Sequence, residues 1–513
     1  MKQYLTILFF LIFFIHLFFS LQGIDHTLLD RHSFRQTQTA ISTYYTIQEG
    51  YQIAYQTPVL GKPWSVPMEF PTYQWIVAFF TKLTGLNLDF VGRTVSLFFF
   101  YLSIYFLYKT IRIFNETANS LVLILLIMCS PIYIFWSRTF MIESLSFYLS
   151  ITYIYYFIRS LTYISFKSMF LASLIGILAG ITKLTTFAIF LLGAYFYFIY
   201  CWILETDKFS RKKLFLYLLY FIFFFIVPIM FTTIWVQYAD YLKNQNPLAI
   251  DLLTSKSTIS WNFGTLDQKL SLETYKTISE FYLPVIIGNW LSKIYYIPII
   301  VLVILFFSNR INFLLSLLFL FLFLSGPLIF TNLYLVHDYY YYANSIFLLL
   351  FIGNLFSILI SIKKYHLNKI VFFIILPFLI FNQLKTYYKI YYPLQLKNDT
   401  EILSLKQIIK ENIPFNSIIL IYGHDWNSEI PYYIQRKAIM DRKALDLKDS
   451  SMKKSIELSG KENISAVLIS GENSQDLKFV QERIDFFQLE SGAVYNGRYG
   501  KLYIKNKDII LKK

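Results

Sequence analysis

Charged and hydrogen-bonding residues are concentrated in one stretch of this chain, between residues 23 and 71. The stretch contains carboxylates, imidazoles, guanidinium groups, an amide and an amine, on Asp25, His26, Asp30, Arg31, His32, Arg35, Gln36, Lys62 and Glu69. In a chain that is 56% hydrophobic, such a density beside strongly apolar segments indicates a site for a polar substrate. The competing interpretation is a solvated connector between two membrane spans. The aromatic residues and the Gly/Pro turns of the stretch favour the site.

Ionisable residues also recur at the ends of later apolar segments. Arg138 and Glu143 lie in SRTFMIES, Lys183 lies in AGITKLTT, and His337 and Asp338 open HDYYYYAN. Each alone has a structural explanation: a basic side chain that reaches the membrane surface, a carboxylate at a helix N-terminus, or tyrosines of an aromatic belt. Taken together, they predict one polar site at the depth of the lipid headgroups.

These residue types suit one kind of chemistry. Basic side chains at headgroup depth suit a phosphate on a membrane-anchored molecule. Carboxylates suit a general base that takes a proton from an acceptor hydroxyl or amine, and aromatic rings suit the faces of sugars. The set predicts transfer of a sugar from a lipid phosphate, with the phosphate as leaving group. We expect Lys183 and Arg138 to contact that phosphate, with Lys62 and Arg93 as weaker candidates.

Composition excludes a soluble enzyme. Of 513 residues only 15% are charged, and apolar runs of membrane-spanning length recur along the chain, as in a polytopic helical membrane protein. The net charge of +15 is explained by basic loops and needs no nucleic-acid partner. Cys129 and Cys201 lie inside apolar segments and indicate buried small residues. No cluster has clear metal-ligand spacing, so no cofactor is implied, and a divalent cation stays an open alternative.

We predict about eleven transmembrane helices. The apolar windows lie at 4–22, 90–108, 120–137, 144–161, 168–183, 186–204, 214–238, 286–307, 311–333, 340–361 and 370–384. Lys and Arg occupy alternate loops, at 109–112, 159–167, 208–213, 310 and 363–369. The positive-inside rule makes those loops cytoplasmic. The first loop, the His337 turn and the C-terminal residues then face outward, and the N-terminus is cytoplasmic.

The segments outside the spans predict further elements. Residues 36–49 and 70–84 are typical of amphipathic helices on the membrane surface. The loop 239–285 is either a mobile cover over the site or a connector. Later in the chain, apolar runs at 417–423 and 465–471 predict buried strands, with helices near 446–459 and 474–487 and a strand pair at 493–496 and 501–505.

This pattern predicts two domains. The first is a transmembrane catalytic domain, 1–390, whose first outer loop is 23–89. The second is a small extracytoplasmic α/β domain, 391–513, within the usual size range of domains.

Six short stretches, in this order, resemble the GT-C superfamily of polyprenyl-phosphate-sugar glycosyltransferases. They are HSFRQTQTA (32–40), EFPTYQW (69–75), VGRTVS (91–96), RTFMIES (138–144), GITKLT (180–185) and HDYY (337–340). The resemblance covers roughly the first 360 residues. It is closest to bacterial glycosyltransferase family 39-like proteins, relatives of the protein O-mannosyltransferases and of the lipid A aminoarabinose transferase.

The resemblance implies an all-α, GT-C-like membrane fold and inversion at the anomeric carbon. It also implies a catalytic carboxylate in the first outer loop, a second acidic residue in the next outer loop, and basic residues that hold the lipid phosphate. Glu143 matches the second acidic residue.

The identity of the first-loop carboxylate stays open. Better-known relatives begin the first-loop helix with an Asp-Glu pair, where this chain has Arg35-Gln36. Glu69 matches the EFP motif of this branch, whereas Asp30 lies nearer the usual position. The candidate catalytic residues are Glu69, Glu143, Asp30 and His32, and the candidate substrate-binding residues are Arg35, Gln36, Lys62, Arg93, Arg138, Lys183, His337 and Tyr340.

We therefore expect a glycosyltransferase of a bacterial inner (plasma) membrane, with a polyprenyl-phosphate sugar as donor and a lipid, glycan or protein group as acceptor. A transporter or flippase of lipid-linked glycans is one alternative, and it would place charges near the bilayer midplane in paired broken helices. A non-catalytic scaffold for envelope assembly is another, and it would tolerate loss of the first-loop charges.

Overall fold

The computed structural model describes residues 2–114, 117–205, 210–293, 297–306, 308–361, 371–441 and 446–505. Four of the lysines behind the predicted orientation lie outside these residues: Lys208, Lys363, Lys364 and Lys369.

Helices dominate the first 396 residues. They are α1 (Lys2–Leu21), α2 (Ser33–Glu49), α3 (Thr72–Thr84), α4 (Leu88–Phe114), α5 (Thr117–Cys129), α6 (Pro131–Trp136), α7 (Glu143–Tyr163), α8 (Phe166–Thr182), α9 (Leu184–Leu204), α10 (Arg211–Phe221), α11 (Val227–Lys243), α12 (Ile250–Leu253), α13 (Ile259–Phe263), α14 (Leu266–Leu270), α15 (Leu272–Ile287), α16 (Ile297–Phe306), α17 (Arg310–Ile329), α18 (Thr331–Val336) and α19 (Tyr340–Ser361). A π-helical turn, Ile222–Ile226, joins α10 to α11, and another, Val371–Ile375, precedes the helices Leu376–Ile390 and Tyr392–Gln395.

Most of the predicted spans coincide with these helices. Within the described residues, five helical stretches are long and apolar enough to cross a membrane: Gln3–Leu21, Leu88–Phe114, Leu184–Leu204, Arg211–Lys243 and Arg310–Ile329. Shorter apolar helices lie at Ser120–Cys129, Phe166–Thr182 and Tyr340–Phe356. The chain is thus a mostly helical membrane protein, and the count of eleven spans stays a prediction.

Two predicted segments need correction. The span 120–137 is interrupted at Ser130, which is extended because Pro131 follows it and begins α6. The predicted loop 239–285 is largely helical, since Ser271 caps α15 through the backbone N–H of Thr274 and apolar residues then recur at helical spacing. That helix ends at Ile287, inside the predicted span 286–307, because Gly288 turns the chain at φ +93°.

The described chain forms two compact units. The first consists of Met1–Ile24, Arg93–Ile234 and Ile259–Leu396. Its core is apolar and aromatic, and small residues allow close helix packing. A Cβ on Gly176 of α8 would meet Pro228 at 3.0 Å and the Tyr153 ring at 3.1 Å, which explains the glycine.

The second unit consists of Asp25–Gly92, Trp235–Thr258 and Lys397–Lys513. It contains a sheet in the order β2-β1-β3-β5-β4, with strands β1 (Ile418–Tyr422), β2 (Lys437–Met440), β3 (Ile464–Ile469), β4 (Tyr495–Gly497) and β5 (Gly500–Ile504). β1 is parallel to β2 and β3, and β5 is antiparallel to β3 and β4. Its helices after residue 396 are Thr400–Asn412, Glu429–Ile434, Ser450–Ser459 and Leu477–Phe487. The two predicted buried strands are therefore confirmed as β1 and β3.

A segment of the first loop covers the edge of this sheet at β2. Ala438 N–H donates to the Pro58 carbonyl and Met440 N–H to the Val59 carbonyl, both at 2.9 Å. The buried side chain of Asn246 donates to the carbonyls that follow, those of Leu60, Gly61 and Pro63, at 3.0–3.2 Å. Pairing of this kind shields an edge strand from other chains. The first loop therefore belongs to the same compact unit as the C-terminal residues, and the division at residue 390 stays a prediction.

The two helices predicted in the first loop are present as α2 and α3. α2 begins three residues before the predicted start, and most of it is buried within the second unit. α3 exposes Phe79, Phe80 and Leu83, as a helix on an apolar surface would. The location of both helices at the membrane surface stays a prediction.

Candidate active site

In the helical unit, a break between two helices positions Lys183. α8 ends at Thr182, and Lys183 is extended, with φ −160° and ψ 91°. Its carbonyl accepts from the backbone N–H groups of Thr186 and Phe187, in the first turn of α9. Lys183 thus caps the end of α8 and the start of α9, and both helices fix the position of its backbone.

Lys183 forms an ion pair with Glu143, the first residue of α7. The two side chains are only 5% and 3% exposed, so the charges are shielded from water. The α7 N-terminus favours the carboxylate. Glu143 Oε1 accepts from Lys183, whereas the buried Oε2 has no hydrogen-bond partner among the described residues. Because burying an ion pair seldom adds stability, a pair kept inside a membrane bundle indicates function.

Aromatic rings enclose the ammonium group. Lys183 Nζ lies 4.4 Å from the ring centroid of Tyr340 and 5.1 Å from that of Tyr339. The His337 ring stacks on Tyr339 at 5.0 Å, and the Trp136 ring meets the same tyrosine edge-on at 5.8 Å. Cation–π contacts of this kind hold a lysine without neutralising its charge. The structure thus places the predicted residues Tyr340 and His337 in one cluster with Glu143 and Lys183.

Asp338, which follows His337 in HDYYYYAN, is a second buried carboxylate of the helical unit. It is 2% exposed, and its Oδ2 accepts from the hydroxyl of Tyr391 at 3.0 Å. Asp338 was not among the predicted site residues. Its position between His337 and the tyrosines of HDYYYYAN was the one signal in the sequence that could have identified it.

Arg93 and Arg138 hold the chain where it leaves α1. Both are fully buried, and they donate to the carbonyl of Gly23 at 3.1 and 2.7 Å. Arg93 also donates to the carbonyl of Ile24 at 3.3 Å. Carbonyls beyond a helix end lack intrahelical donors, so guanidinium groups satisfy them well. These contacts favour an anchoring role, and the predicted phosphate contact of Arg138 stays a prediction.

In the second unit, the first turn of α2 holds both candidate first-loop carboxylates. Arg35 forms an ion pair with Glu69, and Gln36 donates to Asp30 and, at 3.0 Å, to the carbonyl of Arg31. Arg35 and Glu69 are 16% and 23% exposed, whereas Asp30 is 8% exposed. Glu69 is therefore the more accessible of the two carboxylates.

His32 and Lys62 have backbone roles in the same unit. His32 adopts a left-handed conformation, φ 51°, and its carbonyl accepts from the backbone N–H groups of Arg35 and Gln36 at the start of α2. The backbone N–H of Lys62 donates to Ser459 Oγ at 3.3 Å, beside the segment that covers β2. Lys62 thus lies in the turn at the sheet edge.

The hydroxyl of Tyr55 lies near Glu69 and accepts from the backbone N–H of Met68 at 2.9 Å. Burial raises the pKa of Tyr55, and the charge of Glu69 raises it further. The hydroxyl therefore stays protonated at neutral pH and remains able to donate.

Among the residues that the structure describes, no three His, Cys, Asp or Glu side chains come close enough together to hold a metal ion.

Comparison with known proteins finds a family match for part of the chain and a shared fold. Residues 65–232 match the family described as dolichyl-phosphate-mannose-protein mannosyltransferase. No curated protein sequence matches the chain.

Solved structures share the fold at low sequence identity. The crystal structure of ArnT from Cupriavidus metallidurans bound to undecaprenyl phosphate is 10% identical, with a TM-score of 0.67 over 97% of this chain and 98% of that one. Its apo state gives a TM-score of 0.63 at 11% identity over 98% of each chain. The archaeal oligosaccharyltransferase AglB from Archaeoglobus fulgidus, in complex with an inhibitory peptide and a dolichol-phosphate, gives 0.51 at 10% identity over 97% of this chain and 74% of that one. The family match over residues 65–232 and the fold shared with ArnT and AglB agree with the resemblance of the sequence to the GT-C superfamily.

Proposed function

We propose that this protein transfers a sugar from a polyprenyl-phosphate carrier to a lipid, glycan or protein acceptor at the outer face of the membrane. The observation that carries the proposal is the buried Glu143–Lys183 pair against the Tyr340 ring. It occurs in a fold shared with a protein that was crystallised with undecaprenyl phosphate.

Lys183 is proposed to bind the carrier phosphate. An ammonium group has three N–H donors, so it can hold Glu143 and a phosphate oxygen at the same time. The aromatic rings around it exclude water, which strengthens its attraction for an anion. As the phosphate leaves, this charge stabilises the negative charge that develops on its oxygen.

Glu143 is proposed to act as the general base. The acceptor oxygen attacks the anomeric carbon, the bond from that carbon to the phosphate oxygen breaks, and polyprenyl phosphate leaves with the bonding electrons. The acceptor proton passes to the carboxylate. Glu143 Oε2 suits this step because it has no hydrogen-bond partner among the described residues, while Oε1 stays with Lys183.

The first-loop carboxylates remain alternatives for the same role. Glu69, the more accessible, is oriented by Arg35. Asp30 is oriented by Gln36 and is the reserve candidate. In this proposal His32 and Arg35 orient the base or the acceptor, and His337 and Tyr340 form the wall beside Lys183.

Mass spectrometry of envelope lipids and glycans from a deletion strain tests this function. We expect one sugar to disappear from an envelope lipid, glycan or protein, and the polyprenyl-phosphate sugar that donates it to accumulate. The gene for the unchanged protein should restore the sugar, and so should Glu205→Gln, because the Glu205–Lys213 ion pair lies outside the candidate site. An envelope with unchanged sugars and an unchanged level of the carrier would contradict the proposal.

A further inference from the structure

Asp338 lies in the turn between α18 and α19, beside the candidate active site. It is 2% exposed, and it directly precedes Tyr339 and Tyr340, whose rings lie against the ammonium group of Lys183. Its backbone carbonyl accepts from the N–H of Tyr341 at 3.0 Å, in the first turn of α19. The N-terminus of α19 therefore favours a negative charge at this position. Burying a carboxylate is unfavourable, so its presence here indicates a role.

The side chain of Asp338 is held by Tyr391, which follows the helix Leu376–Ile390. The Tyr391 hydroxyl donates to Asp338 Oδ2 at 3.0 Å, and Tyr391 is itself fully buried. The Tyr391 ring stacks on that of Phe135 in α6, with the centroids 4.6 Å apart and 12° between the planes. A buried hydrogen bond to a charged group is short and directional, so it restricts where the Asp338 side chain can lie.

The same group of aromatic rings reaches the wall beside the lysine. Trp136 meets the Tyr339 ring edge-on at 5.8 Å and the Tyr391 ring edge-on at 6.5 Å. Tyr339 is therefore held in two ways, through its ring by Trp136 and through the backbone by Asp338. Lys183 Nζ lies 5.1 Å from the centre of the Tyr339 ring.

The position of the two tyrosine rings decides how the charge of Lys183 is used. A cation–π contact weakens when the ammonium group leaves the ring face or moves beyond about 6 Å from the centroid. In the structure, Glu143 accepts from Lys183 through Oε1, and Oε2 has no hydrogen-bond partner among the described residues. Without the rings, the ammonium group is free to approach both oxygens, and fewer of its three N–H donors remain for a phosphate. A displaced turn at 337–340 would therefore weaken phosphate binding.

We propose that Asp338 is a positioning residue of the donor site. By accepting from Tyr391, it fixes the turn at 337–340 so that Tyr339 and Tyr340 hold Lys183 ready for the carrier phosphate. It makes no contact with the substrate in this proposal and transfers no proton. The inference rests on the proposed function, because it takes polyprenyl phosphate as the ligand of Lys183.

The test removes each side of the hydrogen bond in turn. Asp338→Leu has no acceptor for the hydroxyl, and Tyr391→Phe has no hydroxyl but keeps the ring that stacks on Phe135. The affinity for polyprenyl phosphate is measured on the full chain in nanodiscs. Each variant should bind about three- to tenfold more weakly, the contribution of cation–π contacts shielded from water. Tyr388→Phe is the matched control, and it should bind like the unchanged protein because Tyr388 is 59% exposed.

Asp338→Asn separates the hydrogen bond from the charge. The amide oxygen accepts from the Tyr391 hydroxyl as the carboxylate does, so this variant should retain the affinity that Asp338→Leu loses. If Asp338→Asn bound as weakly as Asp338→Leu, the charge of the carboxylate would be the important property, and the positioning role would be wrong.

A double variant shows whether Asp338 acts through the rings. Tyr340→Leu removes one ring, so adding Asp338→Leu to it should weaken binding by less than the product of the two single effects. A purely structural effect of Asp338 on stability would be independent of the ring. Effects that simply multiply would therefore contradict the inference.

Unchanged binding of polyprenyl phosphate in folded Asp338→Leu and Tyr391→Phe would overturn the inference. The same holds if the unchanged protein does not bind polyprenyl phosphate. The proposed function fails separately: if binding depends on Asp338 and Tyr391 but no sugar is transferred, then the positioning role stands without the transferase activity.

Discussion

Glu143→Gln should lower the rate of sugar transfer by about 10²–10⁴-fold, the usual contribution of a general base. Glutamine keeps the size of the side chain and can still accept a hydrogen bond from Lys183, so the helices around it should pack as before. It cannot take a proton from the acceptor. Single-turnover transfer from a synthetic polyprenyl-phosphate sugar measures the effect directly.

Glu205→Gln is the matched control for this variant. Glu205 is also an ion-paired carboxylate of the helical unit, with Lys213 at 2.7 Å, and its replacement should leave the rate unchanged. If Glu143→Gln transferred sugar at the normal rate and Glu69→Gln transferred it slowly, the general base would be Glu69 in the first loop. Normal rates in Glu143→Gln, Glu69→Gln and Asp30→Asn would exclude all three carboxylates from the mechanism.

Lys183→Met should weaken binding of the carrier phosphate by about ten- to a hundredfold, because a hydrogen bond to a charged group contributes about 1.5–3 kcal/mol. The variant should also be less stable. Removing one partner of a buried ion pair leaves the other charge uncompensated, which typically costs about 3–5 kcal/mol. Donor affinity in nanodiscs and thermal unfolding measure the two effects.

The double variant Glu143→Gln/Lys183→Met separates those effects. It contains neither charge, so it should recover most of the stability that Lys183→Met loses, while donor binding stays weak. Lys213→Met serves as the control, since that lysine also pairs with a glutamate. If donor affinity returned together with stability in the double variant, the role of Lys183 would be structural.

Much of the fold follows from local patterns in the sequence. Apolar runs locate the helices because a membrane span needs about 20 apolar residues in succession. The ends of those runs locate Glu143 and Lys183, since an ionisable side chain is tolerated where a span begins or ends. β1 and β3 follow from apolar runs bounded by turn residues, whereas the four residues of β2, which begin with a lysine, have no such pattern.

Contacts between distant residues could not be predicted in this way. Asp89, which sequence reasoning passed over, accepts from the hydroxyls of Tyr432 and Tyr433, more than 340 residues away in the chain. Asn246 likewise holds the turn at Leu60–Pro63 through three carbonyls. Neither residue lies in a local motif, so only the folded chain identifies its partners.

The roles of single polar residues were equally hidden. The arginines at 93 and 138 were selected for their charge, but the structure shows both donating to the Gly23 carbonyl. Gln38 and Gln74 were not selected at all, because a neutral amide in a helix has no distinctive pattern. The structure buries both side chains, at 4% and 3% exposed.

The most direct test of the account is the fate of a polyprenyl-phosphate sugar with a labelled sugar. The purified protein in nanodiscs is incubated with this donor and with envelope extract from the deletion strain. We predict that polyprenyl phosphate is released in an amount equal to the label that appears on an extract component, and that Glu143→Gln and Lys183→Met suppress both. A donor that remains intact in the presence of the extract would contradict the account.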